Sequence, residues 1–165
     1  EINHAETHIK NIVLNFLPSV LNYLNVYFEN TNQIVAGASM GGLMSIKTSI
    51  LFPQFRNIIS LSPAFWFGYP RVLYDVKNLS NESSTYLYTG KKEGHIFGDH
   101  VKNIFSNDWD LDFSNNDDFY YSGVKKIEDS LKSNNKTVIF SFQENGHHNE
   151  TSWATAILDI LGKLI

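Results

Sequence analysis

The sequence predicts an α/β domain: a mostly parallel sheet flanked by helices. Three observations lead there. Short apolar runs near 33–38, 56–62, 85–90 and 136–142 alternate with segments of helical spacing, which implies parallel pairing with right-handed crossovers. The hexapeptide Gly37-Ala38-Ser39-Met40-Gly41-Gly42 falls between one such run and a helical segment, a strand–turn–helix context. The chain has 165 residues, 42% of them hydrophobic, which is one domain with a real core and no internal repeat or linker.

The elements follow in order. Ile9, Ile12, Val13, Phe16, Leu17, Val20, Leu21 and Leu24 recur at helical spacing and predict a helix from about Ala5 to Phe28. Pro18 lies inside it and should kink it or divide it in two. A buried strand is expected at about 33–38, then a helix at about 41–52 stopped by Pro53. Arg56 to Ser62 reads as the next strand, ending at Ser62-Pro63, with a short helix near 70–77. Thr85 to Gly90 is the third strand. The polar stretch 94–116 is long for a connection, so it is a functional loop or carries a short helix. A helix over about 117–133 places Phe119, Val124, Ile127 and Leu131 on one side. Lys136 to Phe142 is the fourth strand, Gln143 to Glu150 a loop, and the last helix runs from about Glu150 to Leu164.

The run Ile34-Val35-Ala36-Gly37-Ala38 is apolar throughout, as in the middle of a parallel sheet. If the strands pair in sequential order it lies at an edge, and a bare apolar edge is an aggregation hazard. The chain also opens directly into a helix. The expectation is the C-terminal part of a larger domain that lacks its N-terminal strands here. A minimal four-strand protein, or a homo-oligomer whose partner chain covers the edge, is the rival.

Composition narrows the function classes. Net charge is −4 with no basic block, which argues against a nucleic-acid partner. No apolar run approaches the roughly 20 residues of a membrane span. No signal peptide begins the chain, and the cytoplasm is the expected compartment. There is no cysteine, so disulfides and thiolate chemistry are excluded. Aromatic residues make up 14%, which suits a packed enzyme or a pocket lined with rings. Trp66, with Phe65, Phe67 and Tyr69, could line an acyl or aryl pocket or pack against the final helix. His95, Asp99 and His100 are too loosely spaced for a metal site, and Asp108 to Asp118 lacks the calcium-loop pattern; both read as solvated loop, and no metal or cofactor is expected.

G-x-S-x-G at a strand-to-helix turn is the pattern of a nucleophile elbow. The serine is strained with Oγ clear of the backbone, and Gly37 and Gly41 keep Cβ atoms from colliding. Ser39 also stands at a helix N-terminus, where free N–H groups favour developing negative charge. A serine nucleophile needs a base and a group to orient that base. In the chain order Ser, acid, His, the base falls in the loop after the last strand, where His147 and His148 compete. Glu93, just past the third strand, is the best placed acid, with Asp99 and Asp108 as alternatives. The Met40 N–H supplies one oxyanion donor; the second would come from an earlier strand's loop. Losing one such donor costs about 10²–10³ in kcat.

The segment Ile34 to Ser45 resembles the nucleophile segment of an esterase family within the α/β-hydrolases. Its members include esterase D-like, feruloyl, acetyl-xylan and enterochelin (siderophore) esterases and the mycolyltransferases. Leu61-Ser62-Pro63-Ala64-Phe65-Trp66-Phe67 resembles the family's S-P-x-x-W segment. Gly90-Lys91-Lys92-Glu93 resembles its G-x-x-[DE] acid turn, and His148-Asn149-Glu150-Thr151-Ser152-Trp153 its H-x-x-x-x-W segment. The resemblance covers nearly the whole chain. It implies the C-terminal part of an α/β-hydrolase fold and a serine carboxylesterase with the triad Ser39, His148 and Glu93. It favours His148 over His147 and Glu93 over the later aspartates. The substrates it implies are small-molecule, sugar or siderophore esters. An acyltransferase using the same acyl-enzyme, or a non-catalytic binding domain of the same fold, are the alternatives.

Overall fold

The computed structural model describes residues 2–26, 33–105 and 108–164. Their order is helix, strand, helix, strand, short helices, strand, two 3₁₀ turns, helix, strand, helix. Strands β1 (Gln33–Ala38), β2 (Phe55–Leu61), β3 (Ser84–Lys92) and β4 (Thr137–His147) form one sheet in the order β1-β2-β3-β4, every pair parallel. The sequential order puts β1 at an edge of the described sheet, with Ile34 45% exposed.

The central strands are buried on both faces, as a parallel sheet requires. Their alternating residues enter two separate cores. Ile58 and Leu87 point to one face and pack with Ile46 of α3 (Met40–Leu51) and with Phe119, Val124, Ile127 and Leu131 of α5 (Asn116–Ser133). Ile59, Leu61, Tyr86 and Tyr88 point to the other and pack with Ala156 and Ile160 of α6 (Glu150–Leu164). The four apolar residues that mark the 117–133 periodicity are all fully buried, with Tyr120 beside them, so the helical spacing translates directly into the packed face.

Three segments differ from expectation. The first helix is divided as Pro18 requires, but by a π-helical turn at Ile12–Phe16 set between α1 (Ile2–Asn11) and α2 (Leu17–Leu24). Pro18 has no N–H to give to the preceding turn, and one widened turn accommodates that loss without ending the helical path. The run closes at Leu24, with Asn25 in the left-handed conformation at φ +52°; Phe28, its expected end, lies outside the described residues. The fourth strand continues past Phe142 to His147, where a loop is expected, because β3 also runs longer and pairs Gly90 with Gln143 and Lys92 with His147.

The polar stretch 94–116 holds two 3₁₀ turns, Gly94–Phe97 and Val101–Asn103. Asn116 knots it: its amide donates to the Asp99 carbonyl at 2.8 Å, and its Oδ1 accepts from the Val101 N–H at 2.9 Å. Ile96, Phe97, Phe105, Trp109 and Phe113 anchor it on the α5 core. The short helix expected near 70–77 is α4 (Arg71–Asp75) followed by a 3₁₀ turn to Asn78. Among the described residues no helix is long and apolar enough to cross a membrane.

Candidate active site

Every strand runs toward the same end of the sheet, and the chemistry-bearing residues collect there because each follows a strand C-terminus. Ser39 follows β1 at φ +56°, ψ −122°, a conformation that costs a non-glycine residue about 1–3 kcal/mol and persists only where neighbours hold it. Its backbone is held on all sides. The N–H donates to the Leu61 carbonyl at 2.9 Å, and the carbonyl accepts from the N–H groups of Gly42 (3.0 Å), Leu43 (3.2 Å) and Ala64 (3.0 Å).

The glycines of the turn divide the steric work differently from the G-x-S-x-G expectation. A Cβ on Gly37 would strike the backbone of Gly41, and one on Gly42 would come within 2.8 Å of the Leu61 carbonyl. A Cβ on Gly41 would meet nothing within 4 Å. Close approach of strand and helix therefore demands glycine at 37 and 42. Position 41 contributes its backbone. Met40 opens α3, where first-turn N–H groups have no partner within the helix.

Glu93 follows β3 and is fully buried. Its Oε1 accepts from the Ser62 hydroxyl at 2.7 Å and from the Gly90 N–H, with the Thr89 hydroxyl at 3.5 Å. Its other oxygen, Oε2, lies 2.8 Å from His148 Nδ1. A carboxylate accepts, so this contact places the imidazole proton on Nδ1 and leaves the Nε2 lone pair free. The His148 ring packs edge-on against Trp153 at 4.9 Å and against Tyr120 at 5.5 Å. His147 turns the other way and is exposed, its ring 5.8 Å from that of His95.

The Ser62–Ala64 segment ties the two halves together. Ala64 N–H bonds to Ser39, while Ser62 bonds to Glu93, and the Tyr120 hydroxyl donates to the Ser62 carbonyl at 2.6 Å. Burial is the chief cause holding the Tyr120 phenol well above its ordinary value, with the Glu93 charge second. Ser39 Oγ makes no hydrogen bond to His148 among the described residues; the two are connected through this segment.

The remaining residues of interest lie elsewhere. Trp66 is half-buried in a ring cluster with Phe65, Phe97 and Tyr120. The cluster packs on α5, not on the final helix, since Phe65 fills the space that Gly123 leaves open. Trp66 is not among the residues that line a cleft of about 1020 Å³ at the start of α3, formed by Met40, Leu43, Phe67, Tyr69 and others. Of the alternative acids, Asp99 accepts from the His100 N–H and the Asn103 amide, whereas the His148 Nδ1 contact is made by Glu93. Ser62 and Tyr120 went unassigned as site residues in sequence; the signal for Ser62 was its place at the C-terminal end of a buried strand.

No protein-family model and no curated protein sequence matches the chain. Among solved structures it superposes on a ferulic acid esterase with a TM-score of 0.65 at 12% identity, over 92% of this chain and 57% of that one. It superposes on the enterobactin esterase FES from Shigella flexneri, solved in the presence of enterobactin, with a TM-score of 0.61 at 17% identity, over 93% of this chain and 37% of that one. The described fold is that of an α/β-hydrolase in part. The chain spans little more than half the length of the first of these neighbours and less than half of the second.

Proposed function

We propose that this domain is a serine hydrolase of carboxylic esters working through an acyl-enzyme. The observation that carries the reading is the contact of buried Glu93 with part-buried His148 at 2.8 Å, tied through Ser62–Ala64 to a serine on a strained strand-to-helix turn. In this reading His148 Nε2 takes the proton from Ser39 Oγ as the oxygen bonds to the ester carbonyl carbon. The tetrahedral oxyanion is held by the Met40 N–H at the start of α3. Collapse breaks the bond to the alcohol, which leaves with the proton from His148. Water, deprotonated by the same nitrogen, then releases the acid and restores Ser39. Glu93 keeps the proton on Nδ1 and offsets the imidazolium charge while it exists.

The two structural neighbours are named for esters of ferulic acid and enterobactin, and small-molecule esters of that class, siderophore esters included, are the substrates proposed. The exposed Phe67 and Met40 border the cleft at the start of α3, with Trp66 backing Phe67 at 5.8 Å between ring centroids, a surface suited to an apolar or aryl group.

The test is p-nitrophenyl acetate turnover and fluorophosphonate labelling of the full-length protein. Ser39→Ala is expected to abolish both. Turnover retained in that variant would rule the serine mechanism out.

A further inference from the structure

The two residues that brace the acid are themselves connected. Ser62 Oγ, fully buried, accepts a hydrogen bond from the Trp153 indole N–H at 2.9 Å and stands 2.7 Å from Glu93 Oε1. An indole only donates, and a hydroxyl has one proton. Once the indole occupies a lone pair of Oγ, the Ser62 proton is directed to the carboxylate. We infer that Trp153 and Ser62 are positioning residues, a donor relay from indole to hydroxyl to Glu93 Oε1 that leaves Oε2 aimed at His148. The inference rests on the triad reading above.

Three further observations support it. Ser62 is held at φ +44°, a left-handed conformation that a non-glycine residue keeps only where its surroundings over-determine it. Those surroundings are present: its N–H donates to the Tyr88 carbonyl at 2.7 Å and its carbonyl accepts from the Tyr120 hydroxyl at 2.6 Å. The conformation turns a side chain at the end of β2 sideways onto the acid that follows β3. The oxygens of Glu93 are also treated unequally, with Oε1 taking the Ser62 and Gly90 donors and Oε2 facing the imidazole. Finally, the Trp153 ring packs edge-on on His148 at 4.9 Å, so one residue of α6 bears on both members of the pair. Hydrogen bonds to an ionised group are the strong ones, and each fixes an orientation as well as adding energy.

The test uses the full-length protein with Trp153→Phe, Ser62→Ala and the double variant. Trp153→Phe keeps an aromatic ring, though a smaller one, at this position and removes the N–H donor. Ser62→Ala is expected to lower kcat about tenfold to a hundredfold, the value of one hydrogen bond to a charged group, with KM little changed. Trp153→Phe is expected to lower it less. Because the indole acts through the hydroxyl, the double variant should be no slower than Ser62→Ala alone. A second readout needs no turnover: the low-field proton NMR signal of the His148–Glu93 bridge, identified by its loss in Glu93→Gln, should move in Trp153→Phe. Losses that multiply in the double variant, or a Trp153→Phe protein with unchanged kcat and unchanged signal, would overturn the relay. Should Ser62→Ala not fold, Trp153→Phe decides by itself. A wild-type protein that neither turns over ester nor takes the fluorophosphonate would count against the proposed function, while the NMR comparison still tests the relay.

Discussion

Ser39 keeps φ +56° because four backbone hydrogen bonds and two neighbouring glycines leave it no alternative. The glycines make opposite predictions. Gly37→Ala drives a Cβ into the Gly41 backbone and is expected to destabilise by at least about 1–3 kcal/mol, since backbone cannot move aside as a side-chain tip does. Gly41→Ala points into open space from the first turn of α3 and is expected to be neutral or to stabilise by about 0.5–1 kcal/mol, the helix preference of alanine over glycine. Urea unfolding of the two variants distinguishes them, and equal effects would refute the assignment. Under the proposed mechanism Glu93→Gln keeps the side-chain shape but replaces an acceptor with an amide. A fall in kcat of about 10²–10⁴-fold is expected, read by ester turnover at saturating substrate.

At the level of elements, α5 does more than cover the sheet. Its Gly123 admits the Phe65 ring, which brings the segment after β2 against the helix and sets Ser62 and Pro63 under the Tyr120 hydroxyl. Gly123→Ala would push a methyl into that ring. A loss of about 1–3 kcal/mol is expected from thermal unfolding, together with reduced turnover, because the displaced ring carries the Ser62 segment with it. A variant with wild-type stability would show that the ring moves freely. Helical periodicity made the buried face of α5 readable in the sequence; the glycine in that face had no readable partner, since Phe65 lies on another element. The extension of β4 to His147 was unreadable for a similar reason. Gln143 to His147 is polar and glycine-containing, and it is extended because β3 offers it a pairing edge.

On the scale of the whole molecule, charge and burial predict an alkaline weakness. Burial, then the Glu93 charge, pushes the Tyr88 phenol up to about 12 from an ordinary 10.0. The unfolded chain gives up that proton first. Between these values the unfolded state binds fewer protons than the folded one, so stability falls as pH rises. Lys125, raised to about 12 chiefly by its bonds to Glu128 and Asp129, acts in the same direction. Thermal midpoints are expected to drop from about pH 9 to pH 11, and the drop should be shallower in Tyr88→Phe. Identical slopes would exclude Tyr88 as a contributor.

The sequence by itself determined the alternation of strands and helices and the strand–turn–helix at Ser39, because these depend on local spacing and turn chemistry. Position along the chain made Glu93 the best placed acid, and only the family resemblance favoured His148 over His147. The tertiary structure decided what depends on side chains from distant elements meeting. It set Glu93 within 2.8 Å of His148 and turned His147 outward; it also brought Ser62 and Trp153, 91 residues apart, into one hydrogen bond behind the acid. Neither residue has a local signature for that contact. It exists because β2, β3 and β4 end side by side in parallel and α6 returns across them.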